Sequence, residues 1–319
     1  MIFSFLVQLA IASTLLQLFP VDARDLEASL FAPASTGSTY SVFTLPQTMP
    51  SVQMPHKPPE KHDPRRLGVL TSAVSAAVVD RRSGAVLFEK NREAPRSIGS
   101  ITKLMTALVF LEGDPDLDAM VMLMPEDVRL GGVQHVQLGE PVRVRDVLYA
   151  SLVSSDNSAT AALVRISGMS TGDFVARMNE MAATLGMSQT QFVDPTGLSA
   201  NNTSVVMDLV RLIERVSDID LIRDATTHAT FTVSAPSGAT YLLENTNDLL
   251  TSYINQDPYQ IVTAKTGFLP EAGYCLGAMF SRDGKDEVIS VVLGSESDAG
   301  RFQDVKAMTA WAYEAYDWE

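Results

Sequence analysis

Two kinds of hydrophobic pattern divide this chain, and their order along it leaves few folds open. Ser72 to Asp80 reads SAVSAAVVD, small and β-branched enough for a strand. Arg81-Arg82-Ser83-Gly84 turns and Ala85 to Lys90 returns, which predicts a hairpin. Gln260 to Lys265, Tyr274 to Ser281 and Glu287 to Leu293 predict three more strands, the last two joined through Arg282-Asp283-Gly284-Lys285. Between these groups the period changes. Ile101 to Glu112, Gly172 to Leu185 and Ser204 to Val216 carry apolar residues at helical spacing, and Pro141 to Gly168 begins extended and turns helical near Val147. A last helix is expected over about Ala299 to Tyr316. Strands at both ends with helices between them predict a mixed α/β (α+β) fold: an antiparallel sheet completed by both domain termini, flanked by helices, with a mostly helical insertion.

The domain is expected over residues 67–319 of the 319-residue chain. Residues 24–66 are rich in Ser, Thr and Pro and show no hydrophobic period, so a disordered linker is expected there. Ile2 to Phe19 is nearly all apolar, interrupted by Gln8 and Gln17, and Val21-Asp22-Ala23 offers small residues for cleavage after Ala23. Residues 1–23 therefore read as a signal peptide, although no Lys or Arg precedes the apolar run. An uncleaved N-terminal anchor is the rival reading. Either places the domain outside the cytoplasm, periplasmic or facing the cell wall, with membrane contact only through the N-terminal segment if it is uncleaved.

Charge excludes some partners. The formal net charge is −14, so no nucleic acid is expected as a partner, nor a basic membrane-binding face. Cys275 is the one cysteine, which rules out an intrachain disulfide and reads as a small buried apolar residue. The four histidines (His56, His62, His135 and His228) have no metal-ligand spacing, and no metal is expected.

Three short segments carry chemistry. In Ser100-Ile101-Thr102-Lys103 the hydroxyl and the amine lie three apart, on one face of a helix. A serine hydroxyl becomes a nucleophile when a neighbouring base takes its proton, and a lysine of lowered pKa can do so. This is the chain's only Ser-x-x-Lys, and Lys103 is the only lysine between Lys90 and Lys265. The bland alternative is a helix start, with Ser100 as cap and Lys103 solvated. In Ser155-Asp156-Asn157, the second hydroxyl could relay a proton and the amide could orient the lysine; an ordinary polar turn would use the same residue types. Lys265-Thr266-Gly267 is expected at the end of an apolar strand. There, charge and hydroxyl suit a substrate carboxylate, glycine allows close approach, and the strand edge can pair with a peptide.

The segments stand in order, Ser155 about 55 and Lys265 about 165 residues after Ser100. S-x-x-K, S-D-N and K-T-G in this order are the signature of penicillin-binding proteins and class A β-lactamases. From about Ala73 to Trp311 the chain resembles the low-molecular-weight penicillin-binding proteins of the D-alanyl-D-alanine carboxypeptidase family. Asn245-Thr246-Asn247-Asp248-Leu249 and Ala272-Gly273-Tyr274-Cys275-Leu276 are similar to segments of that family, as is Phe192 to Ser199. The Asp-Pro-Thr-Gly-Leu-Ser and Asn-Thr-Asn versions resemble the branch that includes the short DD-endopeptidases.

The resemblance implies a DD-peptidase/β-lactamase-like fold and a serine-type D-Ala-D-Ala carboxypeptidase, with peptidoglycan stem peptides as substrate and β-lactams as inhibitors. Ser100 would be the nucleophile and Lys103 its base; Ser155 and Asn157 would assist. Lys265, Thr266 and Gly267 would bind substrate, and no cofactor is required. Endopeptidase action is the near alternative. A class A β-lactamase would need a Glu-x-x-x-Asn element, and Gln191 to Asn201 contains no Glu. A non-catalytic peptidoglycan-binding relative would not need Ser100, Lys103, Ser155 and Asn157 intact.

Overall fold

The computed structural model describes residues 56–319. Its frame is an antiparallel sheet of five strands: β1 (Ser75–Asp80), β2 (Val86–Lys90), β3 (Tyr259–Leu269), β4 (Gly273–Arg282) and β5 (Asp286–Ser295), in the order β3-β4-β5-β1-β2. The two sequence-distant groups meet where β1 pairs with β5, from Asp80 opposite Val288 to Ser75 opposite Leu293. The expected sheet, completed from both ends of the domain, is therefore the one observed.

Among the described residues seven helices surround it: α1 (Thr102–Glu112), α2 (Val144–Leu152), α3 (Asn157–Ile166), α4 (Thr171–Thr184), α5 (Val206–Ser217), α6 (Asp220–Thr227) and α7 (Asp298–Ala315). The sheet is covered on both faces, and the alternation of β1 shows how. Ala77 and Val79 enter the core shared with the helical region, with Met279, Ile289 and Val291. Ala76 and Val78 enter the opposite core, with Phe302, Val305 and Met308 of α7. A strand buried on both faces reads as a continuous small and apolar run, which is why SAAVVD shows no polar alternation. Helix α1 is buried all round from Thr102 to Phe110, so it is a core helix rather than an amphipathic surface one.

Several boundaries differ from the sequence reading for identifiable reasons. The stretch read as one helical region after Val147 is two helices, broken at Ser155, whose φ is +60. Asp156 then caps α3 by accepting from Ser158 N and Ala159 N. Lys265-Thr266-Gly267 lies inside β3, which continues to Leu269, rather than at its end. Helix α6 and the hairpin Thr230–Ser234 with Thr240–Glu244 were not expected; most hairpin residues face solvent, so the apolar alternation is weak. Residues Glu60–Lys61, assigned to the linker by composition, pair with Tyr316–Asp317 after α7. The rest of that linker up to residue 55 and the expected export segment lie outside the described residues. No helix among the described residues is long and apolar enough to cross a membrane.

Candidate active site

The edge strand β3 faces the turn that leads into α1, and glycine makes the approach possible. A Cβ on Gly267 would sit 2.3 Å from Ile98 O. A Cβ on Gly99, whose φ is +51, would sit 2.7 Å from Phe268 N. No larger residue fits either place without moving backbone. The contact brings Ser100, in the 3-10 turn Gly99–Ile101, against the Lys265-Thr266-Gly267 strand.

Ser100 caps nothing; its Oγ lies 2.9 Å from Lys103 Nζ. Lys103 is fully buried, not solvated. Its Nζ also donates to Asn157 Oδ1 at 2.7 Å and to Thr196 O at 2.7 Å. Asn157 is held in turn, its Nδ2 donating to Gly131 O at 2.6 Å. Burial pushes the Lys103 pKa down to about 7, against the opposing pull of the Asp194 and Asp156 carboxylates. The first two sequence segments thus meet at one buried amine.

Thr196 belongs to a loop clamped onto α1. Thr106 Oγ1 donates to Pro195 O at 2.6 Å, and Asn202 Nδ2 donates to Thr102 Oγ1 at 3.1 Å and to Asp194 O at 2.8 Å. The Asp194 carboxylate is occupied by its own loop: Oδ1 accepts from Thr196 N, Thr196 Oγ1 and Gly197 N, and Oδ2 from Ser199 N. Those bonds turn the carboxylate to its own loop, three on Oδ1 and one on Oδ2.

A cleft of about 430 Å³ opens above this floor. Ser100, Ser155, Asn157, Thr266 and Gly267 line it, with the Gly131–Val133 segment on one wall and Glu244, Asn245 and Thr246 on another. Thr266 Oγ1 and Thr246 Oγ1 lie 2.5 Å apart and join two of these walls. Ser155 holds a left-handed backbone conformation, and its buried Oγ has no hydrogen-bond partner. Strain and an orphan hydroxyl at one residue in a cleft are features that functional sites sustain. His135 Nδ1, 3.6 Å from Asp156 Oδ2, and Arg301 Nε, on the same lining, are also buried without a hydrogen-bond partner. A larger groove of about 800 Å³ runs along Gln260–Val262 and α6; its one hydroxyl bonded to a carboxylate is Tyr149, which donates to Asp224 and whose pKa burial and that carboxylate raise, and none of the three sequence segments lines it.

Lys265 is placed differently from the sequence reading. It is fully buried and off the cleft lining, with Nζ 3.4 Å from Thr266 O. Burial first, then the nearby charges of Lys103 and Arg301, push its pKa far below the ordinary lysine value. The cation on the lining is Arg301, near the start of α7, whose Nη1 donates to Gly267 O at 3.2 Å. No spacing rule singled out Arg301, Thr196 or Thr246. Of these, only Thr196 and Thr246 lie in segments that carry the family resemblance.

This fold and constellation define an acyl-transferring serine hydrolase site, and comparison with known proteins narrows the class. The pattern of the D-alanyl-D-alanine carboxypeptidases matches residues 62–297, and the chain belongs to that family of serine DD-peptidases. A D-alanyl-D-alanine endopeptidase of Pseudomonas aeruginosa is 36% identical over 240 residues, covering 74% of this chain and 76% of that protein. A D-alanyl-D-alanine carboxypeptidase of Bacillus subtilis is 30% identical over 267 residues, covering 81% and 66%. Among solved structures, the Streptomyces K15 DD-transpeptidase superposes with TM-score 0.72 at 28% identity, over 78% of this chain and 100% of that one. Penicillin-binding protein D2 of Listeria monocytogenes, in its cefotaxime-bound form, gives 0.66 at 33%, over 78% and 100%.

Proposed function

We propose that this chain hydrolyses D-alanyl peptide bonds of peptidoglycan through an ester on Ser100. One observation carries the reading: Lys103 Nζ, buried and with its pKa lowered to about 7, lies 2.9 Å from Ser100 Oγ. A neutral amine has two N–H donors and one lone pair. Asn157 Oδ1 and Thr196 O can only accept, so they take the two donors. The lone pair is left for the third neighbour, Ser100 Oγ–H, which can donate. The amine is thereby oriented as a base towards the nucleophile, and a pKa of about 7 keeps a large neutral fraction at neutral pH.

In the proposed reaction Oγ bonds to the D-alanyl carbonyl carbon as its proton passes to Lys103 Nζ. The oxyanion is met by backbone N–H groups of Ser100 and Phe268, which the Gly99 contact brings together. The C–N bond then breaks, and the proton reaches the departing amine with help from Ser155. Water hydrolyses the ester and restores Ser100. Arg301, with Thr266, holds the carboxylate beside the scissile bond, and buried Lys265 supports that wall from beneath. With no Glu in the loop from Gln191 to Asn201, β-lactam adducts persist rather than turn over, unlike those of a β-lactamase.

On the finer activity, the relatives of Pseudomonas aeruginosa and Escherichia coli, 36% and 34% identical, are endopeptidases, which favours cleavage of cross-links. Removal of the terminal D-alanine, the expectation drawn from the family's name, is the second reading, favoured by the carboxypeptidase relative at 30%. Incubation with defined monomeric and cross-linked muropeptides, followed by separation of the products, decides between them. Release of neither product would refute the DD-peptidase reading. A peptidoglycan substrate also fits export through residues 1–23, tested by fractionating cells that express the tagged chain.

A further inference from the structure

The cleft presents opposite charges at separate points. Arg301 is its guanidinium, and Glu244 is the one carboxylate among the residues that line it. Glu244 ends the strand Thr240–Glu244 opposite Thr230, and its side chain is exposed. It makes no ion pair or side-chain hydrogen bond with any described residue, whereas lysines and arginines elsewhere hold many of the chain's acids, as Arg81 holds Glu287 and Arg165 holds Asp127.

The backbone beside it is fixed. Asn245 N donates to Ala229 O at 2.9 Å and Asn245 Nδ2 to His228 O at 2.8 Å. Thr246 N donates to Val153 O at 3.3 Å, and Thr246 Oγ1 is joined to Thr266 Oγ1. The carboxylate is therefore displayed from a braced segment, two residues before Thr246, which is bonded to the substrate-facing strand, and its charge is uncompensated by any described residue. An extended peptide lying along β3 would lose solvent next to it. An anionic group at that point is repelled and a cationic one attracted.

We infer that Glu244 is a specificity residue that receives an ammonium group of the peptide substrate, while Arg301 receives its carboxylate. The preferred substrate class is then a D-alanyl peptide that carries a free side-chain amine. The inference rests on the DD-peptidase reading above.

The test uses the full chain and two probes: Nα-acetyl-L-lysyl-D-alanyl-D-alanine with its side-chain amine free, and the same peptide with that amine acetylated. The free amine is expected to raise kcat/KM about three- to fivefold, the scale of a solvent-accessible ion pair. The preference should shrink as ionic strength rises. Glu244→Gln should abolish it and Glu244→Lys reverse it, with thermal melting as the check on folding. Equal rates for both peptides in the wild type, or a preference that survives Glu244→Gln, overturns the inference. Labelled benzylpenicillin on the wild-type chain separates the two levels. If it attaches at Ser100 without any amine preference among peptides, only the Glu244 assignment fails; if it does not attach, the underlying reading fails.

Discussion

Ser100 Oγ and Lys103 Nζ lie 2.9 Å apart, one turn from each other, although one faces a cleft and the other is wholly buried. The pair joins a reactive hydroxyl at the surface to a base that water does not reach. Replacing Ser100 by Ala should abolish labelling by fluorescent penicillin and lower peptide turnover by about 10³-fold or more, with the melting temperature little changed. Retained labelling would move the nucleophile elsewhere.

The Lys103 pKa of about 7 sets a pH dependence. The neutral amine is the competent form, so the acylation rate should rise with pH through about 7 and then level off. The sign for stability follows from the same shift. The folded value lies below that of the unfolded chain, so between them the unfolded chain binds more protons. Lys103 therefore opposes folding most fully below pH 7, and its penalty fades as pH rises through the window. In Lys103→Met, acylation should fall by about 10³-fold and this contribution to the pH dependence of stability should disappear. Stopped-flow acylation and denaturation series across pH measure the two effects.

Asn157 offers a charge test at one oxygen. Asn157→Asp puts a carboxylate where Oδ1 now accepts from Lys103 Nζ. An adjacent anion favours the protonated amine, so the acid limb of the acylation profile should move about one pH unit or more to the alkaline side. An unmoved limb would show that Lys103 does not control it.

Arg301 should matter for carboxylate recognition rather than for the nucleophile. Arg301→Leu is expected to lower kcat/KM about 10- to 100-fold for peptides with a free C-terminal carboxylate. For C-terminally amidated peptides the effect should be much smaller. Equal loss for both would reduce Arg301 to a structural role beneath Gly267.

Gly267→Ala tests the close approach of β3 to the turn before Ser100. The new methyl would stand 2.3 Å from Ile98 O, so the strand must shift, at about 1–3 kcal/mol of stability. Phe268 N would shift with it, and penicillin acylation should fall more than melting alone explains. Unchanged acylation would remove Phe268 from the oxyanion site.

The antiparallel sheet, its completion from both ends and the order of the three chemical segments were legible in the sequence. Strand and helix periods, turn residues and residue identities are local, and they survive without coordinates. Ser100, Lys103, Ser155, Asn157, Thr266 and Gly267 could be named for the same reason. What the sequence left undecided is what contact creates. The depressed pKa of Lys103 arises from burial, and one of its partners is a backbone carbonyl, Thr196 O, which no residue identity announces. Lys265 reads in the sequence as the cation for a substrate carboxylate, yet the packing of β3 buries it and leaves Arg301 on the lining. The pattern of types fixed which groups were available; solvent exclusion and approach across the cleft, both set by residues far apart in the chain, decided their charge and reach.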